Sequence, residues 1–194
     1  MHNLEFSVLD SIPNNKSIII LANYRTGSTA LCNWLSKKFN LVNLDEAFHP
    51  AVRKPVVLNK QFIIKIMPDH MVPLDFVNHL DDAYVIGLKR KSLIYQVSSF
   101  YISDKTRIWH YKKDNLCNDY TIDIDPLGIE DQIRYILKMT QLYDNSILKK
   151  DLEIYYEDIV QEISNSEYKI YPKPKNYNEL LSQISITIEQ ILND

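Results

Sequence analysis

Short β-branched runs alternate along this chain with stretches of helical period, in the order strand, helix, strand, helix. Ser17 to Ala22 is apolar without alternation, the pattern of a strand buried on both faces. A polar stretch, Asn23 to Thr29, follows it. Beyond that, Leu31, Trp34, Leu35 and Phe39 fall on one helical face and belong to the core. Leu41 to Leu44 predicts a second strand, and Gln61 to Met67 a third that Pro68 stops. A helix over about Met71 to Leu80 leads into a fourth strand, Ala83 to Leu88, and then a helix near Ser92 to Ile102. Residues 104–126 lack a strong period and predict an ordered loop or lid. The stripe Ile129, Ile133, Ile136, Leu137, Thr140, Tyr143 and Ile147 predicts the longest helix, Ile129 to Leu148. Leu152 to Tyr156 is a fifth strand and Tyr177 to Leu192 a last amphipathic helix. The expected fold class is α/β: one three-layer domain over residues 1–194, with a central parallel sheet of about five strands and helices on both faces.

Composition narrows the class further. The 194 residues suit one domain, and 45% hydrophobic with 24% charged residues is ordinary globular usage, which excludes disorder and fibrous repeats. The longest apolar run, Ile18 to Ala22, is far short of the roughly 20 residues of a membrane span. The first residues lack the basic start and apolar core of a signal peptide, so a cytoplasmic protein is expected. A net charge of −3 supplies no global field for nucleic acid or anionic lipid. Cys32 and Cys117 fall into no metal-ligand spacing and the five histidines form no His-x-x-x-His pair, so no metal is expected. There are only three glycines, Gly27, Gly87 and Gly128, too few and too scattered for a dinucleotide-binding fingerprint.

The scarce Gly27 lies in the polar stretch between the first strand and its helix, where proteins bind phosphate through backbone N–H groups and the positive helix end. Against Gly-x-x-x-x-Gly-Lys-Ser/Thr, the stretch Ala22 to Thr29 keeps Gly27 and Thr29. Ala22 replaces the first Gly and Ser28 the Lys, while the cation sits two residues before Gly27 as Arg25. A kinase or ATPase also needs Mg²⁺ on an acid at a neighbouring strand end. Here one candidate strand runs into Lys89-Arg90-Lys91, and the other carries Lys65 and reaches Asp69 only after Pro68. Cations at those places point to a metal-free transfer in which Arg and Lys neutralise a leaving group.

Five blocks, in order, resemble the sulfotransferase superfamily, and most of all its bacterial trehalose-sulfotransferase branch. Tyr24 to Leu31 resembles the 5′-phosphosulfate loop. Leu44-Asp45-Glu46-Ala47-Phe48 resembles a Glu-x-Phe segment whose Glu serves as base. Phe62 to His70 is similar to a Lys-containing strand ending in Asp-His. Arg90 to Ser98 resembles the 3′-phosphate motif, an Arg at a strand end and a Ser about two helical turns on. Leu152 to Asp158 resembles the Tyr-Glu-Asp strand end. Nothing after residue 160 resembles the Gly-rich basic segment that closes over the nucleotide in better-known members; Lys173 and Lys175 are the candidates to substitute for it, with solvated linker charges as the favoured alternative.

The resemblance implies transfer of a sulfuryl group from 3′-phosphoadenosine 5′-phosphosulfate (PAPS) to a hydroxyl of a carbohydrate or small-molecule acceptor, without metal. It implies cofactor contacts from Arg25, Thr26, Gly27, Ser28, Thr29, Ala30, Arg90 and Ser98, and catalytic roles for Glu46, Arg25 and Lys65. Glu46 is the first choice as base and His70 the second, with His49 and His110 behind them. Trp109, Tyr101 and Tyr111 lie where the branch places acceptor contacts, with ordinary packing as the alternative, while Tyr156 and Glu157 organise a strand end. The short chain leaves room for a homodimer that completes the acceptor pocket. The competing functions are a Mg²⁺-dependent P-loop kinase, a nucleotide-binding relative without turnover, and a nucleic-acid binder using Lys89-Arg90-Lys91.

Overall fold

A computed structural model describes residues 7–50, 60–70, 72–73, 76, 82–109, 119–163 and 173–193. Five strands form one wholly parallel sheet: β1 (Ile18–Ala22), β2 (Val42–Asp45), β3 (Phe62–Ile66), β4 (Tyr84–Lys89) and β5 (Leu152–Tyr155), in the order β2-β3-β1-β4-β5. The described helices are α1 (Ser28–Phe39), α2 (Leu93–Thr106), α3 (Pro126–Asp144), α4 (Tyr156–Ile163) and α5 (Tyr177–Asn193), preceded by a 3₁₀ turn at Val8–Ser11. This is the expected three-layer α/β arrangement. No helix among the described residues is long and apolar enough to cross a membrane.

Strands β1 and β3 are buried at every position because both faces are covered, which is why they are apolar without alternation. Ile18, Ile20 and Ile63 pack with Leu31 and Leu35 of α1 and Ile159 and Ile163 of α4. Ile19, Leu21 and Ile64 pack on the other face with Phe48, Phe76 and Tyr143. A further core joins α2, α3 and α5 through residues such as Tyr101, Ile133 and Ile184.

Register decides where Lys65, the one buried lysine among the described residues, points. Lys65 pairs with Ile20 across β1 and β3, so it shares the face of Ile20 and lies beneath α1. From β1 the chain runs out to β2 at the edge, returns through β3, and then crosses β1 to reach β4. The carboxyl end of β1 therefore sits at the point where strand order reverses, the place where open α/β sheets form their crevice.

Three differences from the expected elements have local causes. The long helix ends at Asp144, where the N–H of Asn145 caps the carbonyl of Gln141, and Ile147 is left 89% exposed instead of joining the stripe. Tyr156 starts a helix rather than ending β5: Glu157 and Asp158 suit a first turn, and Ile159 and Ile163 bury one face. Helix α2 continues to Thr106, into the stretch expected as a loop. The helix expected over 71–80 falls largely outside the described residues, as do His110, Tyr111 and Cys117.

Candidate active site

The loop between β1 and α1 has a backbone geometry that suits an anion. Arg25 (φ +61°) and Gly27 (φ +80°) are left-handed with Thr26 between them, an alternation that turns successive N–H groups toward one concavity. Helices α2 and α3 begin with a side-chain cap from Ser92 and Asp125. Helix α1 begins at Gly27, which has no side chain with which to cap the first N–H groups.

Contacts from three directions hold this loop. The buried Asn23 amide donates to the Ile136 carbonyl (3.3 Å) and Thr140 Oγ1 (2.8 Å) of α3, while its Oδ1 accepts the Tyr24 N–H (2.7 Å). From α2, Gln96 Nε2 donates to the Tyr24 carbonyl (2.7 Å), and Ser99 Oγ accepts from Arg25 Nε (3.1 Å). Arg25 also donates to the Trp109 carbonyl (2.9 Å). Within the loop, Thr26 Oγ1 donates to the Asn23 carbonyl (2.8 Å). Past β3, Asp69 accepts from the hydroxyls of Tyr24 (2.9 Å) and Tyr135 (3.1 Å). Burial and that carboxylate hold the Tyr24 phenol protonated far above its ordinary range.

Lys65 is the cation at the centre. It is 1% exposed, and its Nζ meets Asp45 (3.0 Å), Glu46 (2.8 Å) and the hydroxyl of Thr29 in the first turn of α1. Glu46, just past β2, is thereby tied to the start of the loop helix. Beyond it lie His49 and His70, and one ligand atom each of Glu46, His49 and His70 falls within 4.8 Å of the others. The two imidazoles meet edge to face at 5.5 Å. No spacing rule finds this cluster, because His49 and His70 come from different connections and meet only through the sheet.

A metal on this cluster would need a lone pair from His70. Its Nδ1 accepts the Met67 N–H (3.2 Å), so the proton of the neutral ring sits on Nε2. Metal-bound imidazoles instead donate a proton from their second nitrogen. The hydrogen bond leaves the neutral ring no second lone pair with which to accept a proton. Burial holds the His70 imidazole below its ordinary value near 6.5. The unfolded chain then takes up a proton below pH 6.5 that the folded chain refuses. Stability is accordingly expected to fall as pH drops from about 6.5 toward the lower folded value. His70→Phe should flatten that part of the curve, as read by urea unfolding at several pH values.

The second anchor lies at the end of β4. Arg90 donates to the Arg25 carbonyl (3.0 Å), lies 3.4 Å from Glu157 and faces the Tyr156 ring at 5.3 Å. The Tyr156 ring covers Gly27, and Glu157 accepts the Lys91 N–H (3.0 Å). Lys89 pairs with Asp144 (2.9 Å) and Lys91 with Asp158, so each cation of Lys89-Arg90-Lys91 faces a carboxylate. The buried Ser98 hydroxyl donates to the Tyr95 carbonyl (3.1 Å) and lies 3.3 Å from the Tyr177 hydroxyl; its neighbours Gln96 and Ser99 are the α2 residues that reach the loop. Tyr101 is fully buried, donates to the Asp123 carbonyl (2.9 Å) and accepts the Asp125 N–H (2.8 Å), so it is a packing residue. Trp109 keeps its ring on Phe100. Lys173 lies over Tyr177 and Lys175 pairs with Asp119 (2.6 Å).

Sequence reasoning misses the parts played by Asn23, inside the loop, and by Asp69, Gln96, Ser99 and Tyr135, which hold it from outside. Only the Asp-His pair after Pro68 hints at one of them. The chain matches no protein-family model and no curated protein.

Proposed function

We propose that the protein is a PAPS-dependent sulfotransferase that transfers a sulfuryl group, without metal, to a hydroxyl of a carbohydrate or small-molecule acceptor. One observation carries this reading: all five blocks that resemble the superfamily, scattered over residues 17–158, meet around a single loop. Glu46 of the second block binds Lys65 of the third, and Lys65 binds Thr29 of the first. Arg90 of the fourth binds the loop carbonyl of Arg25, and Tyr156 of the fifth covers Gly27. Fold alone carries no function, but a shared site at this density is an argument from chemistry.

The reaction follows from the charges. The acceptor oxygen attacks sulfur in line with the departing 5′-phosphate, and charge builds on that leaving oxygen as in phosphoryl transfer. The loop N–H groups and Thr29 stabilise that charge, and Lys65 joins them once its ammonium gives up one of its three protein partners. Glu46 takes the proton of the attacking hydroxyl. Arg90 offers the 3′-phosphate a guanidinium fork once it exchanges its protein partners for the ligand.

Calorimetric titration with 3′,5′-ADP in EDTA, beside ATP with Mg²⁺, tests the reading. The expected result is metal-free binding of 3′,5′-ADP that Arg90→Ala weakens between about 10- and 100-fold, the worth of a lost charge-assisted hydrogen bond. Binding of Mg-ATP alone would overturn the proposal in favour of a kinase. Steeply salt-dependent binding of oligonucleotides would replace both.

A further inference from the structure

The cluster next to Lys65 contains a donor without an acceptor. His70 is 8% exposed, its Nδ1 is occupied by the Met67 N–H, and its buried Nε2 meets no hydrogen-bond partner among the described residues. A buried N–H left unpaired forfeits its hydration with nothing in return, so such a group points to an oxygen that arrives with a ligand. The same cluster holds the His49 ring and the Glu46 carboxylate: one carboxylate oxygen and a His70 ring nitrogen lie within 4.8 Å of each other. Two hydrogen bonds of about 2.8 Å that meet at one oxygen at a near-tetrahedral angle span about 4.6 Å. A single hydroxyl oxygen shared by the two groups fits within that limit.

We infer that His70 Nε2–H holds the oxygen of the reacting acceptor hydroxyl while Glu46 receives its proton, and that this pairing makes the site selective for oxygen over nitrogen acceptors. The inference rests on the sulfotransferase reading. A hydroxyl has one proton and two lone pairs. The proton goes to the Glu46 carboxylate, which becomes a carboxylic acid, and one lone pair accepts from His70. The other forms the new O–S bond as the bond from sulfur to the 5′-phosphate oxygen breaks, that oxygen leaving with the bonding pair. A neutral amine has one lone pair. Once it accepts from Nε2–H it has none left to attack sulfur, and an ammonium has none at all. His70 is thus a positioning and specificity residue rather than the base.

The test uses the whole protein labelled with ¹⁵N-histidine and saturated with 3′,5′-ADP. Long-range ¹H–¹⁵N spectra should show the His70 proton on Nε2, and titration with glycerol should shift that nitrogen while 1-propylamine leaves it in place. With PAPS and molar glycerol, His70→Phe should slow 3′,5′-ADP release at least about 10-fold without changing 3′,5′-ADP affinity. His70→Gln, which offers an N–H at the same reach, should restore most of the rate. A structural role alone would not be rescued in this way. A proton on Nδ1, no glycerol shift, or micromolar Zn²⁺ binding that moves both His49 and His70 would overturn the inference. Loss of metal-free 3′,5′-ADP binding by the parent protein would instead sink the sulfotransferase reading beneath it.

Discussion

Replacing Lys65 with Met is expected to cut the rate of 3′,5′-ADP release from PAPS by about 10²–10³-fold, the effect of removing one preorganised donor from a developing oxyanion. The thermal midpoint should move by only a few degrees. Met keeps the apolar stem that the Lys65 position buries beneath α1. Removing one partner of a buried ion pair is costly when the other charge stays desolvated. Here the two carboxylates left behind, Asp45 and Glu46, have side chains 54% and 26% exposed, so water can take over from the ammonium. Lys65→Arg should not rescue the rate, because a planar fork does not replace a point charge that meets Thr29, Asp45 and Glu46 at once. Steady-state release of 3′,5′-ADP beside a melting curve checks the pair of outcomes. An unchanged rate in Lys65→Met would remove Lys65 from the machinery.

Gly27→Ala should show the opposite balance, a large loss of stability together with loss of ligand binding. A Cβ at this position would stand 2.3 Å from Tyr156 Cδ2 on backbone with φ +80°, so two penalties act together. The left-handed conformation costs a residue with a Cβ about 1–2 kcal/mol, and overpacking about 1–3 kcal/mol more. For a chain of this size each kcal/mol moves the midpoint by about 2–4 °C, so a fall on the order of 10 °C is expected. The double variant Gly27→Ala, Tyr156→Ala separates the two terms. It should lose less than the sum of the single variants, because removing the ring relieves the clash but not the dihedral strain. Strict additivity would mean that the Tyr156 ring does not press on the loop.

How legible the site is depends on the range of the interaction. Arg25, Gly27 and Thr29 stand out because a phosphate loop is local: strand, polar turn and helix are contiguous, and so few glycines make Gly27 conspicuous. Lys65 stands out as a lone charge inside an apolar strand, which demands a partner. Ser98 shows what spacing along a helix leaves open. Its spacing from Arg90 suits a shared ligand, yet its hydroxyl contacts Tyr95 and Tyr177, and the adjoining Ser99 is the serine that reaches Arg25. A helix turns 100° per residue, so one position decides which side of α2 faces the loop. The stripe that includes Ile147 fails for a similar reason: periodicity continues past the point where Asn145 caps the helix.

The sequence by itself determined the five strands, most of the helices, the loop and its cations, since each depends on neighbours within a few turns of chain. Only the tertiary structure decided that Glu46, His49, Lys65 and His70 form one cluster. That required β2 and β3 to lie side by side in parallel, and the β1–β3 register to set Lys65 on the face of Ile20. It likewise decided the straps on the loop, Asn23 to Ile136 and Arg25 to Ser99, which join residues 113 and 74 positions apart. No local pattern records such pairs. They exist because strand order folds distant segments onto one sheet end, where a buried polar group is stable only if some other part of the chain satisfies it. The two buried donors that the described residues leave unsatisfied there, His70 Nε2 and Arg90 Nε, are for that reason properties of the fold rather than of the sequence around them.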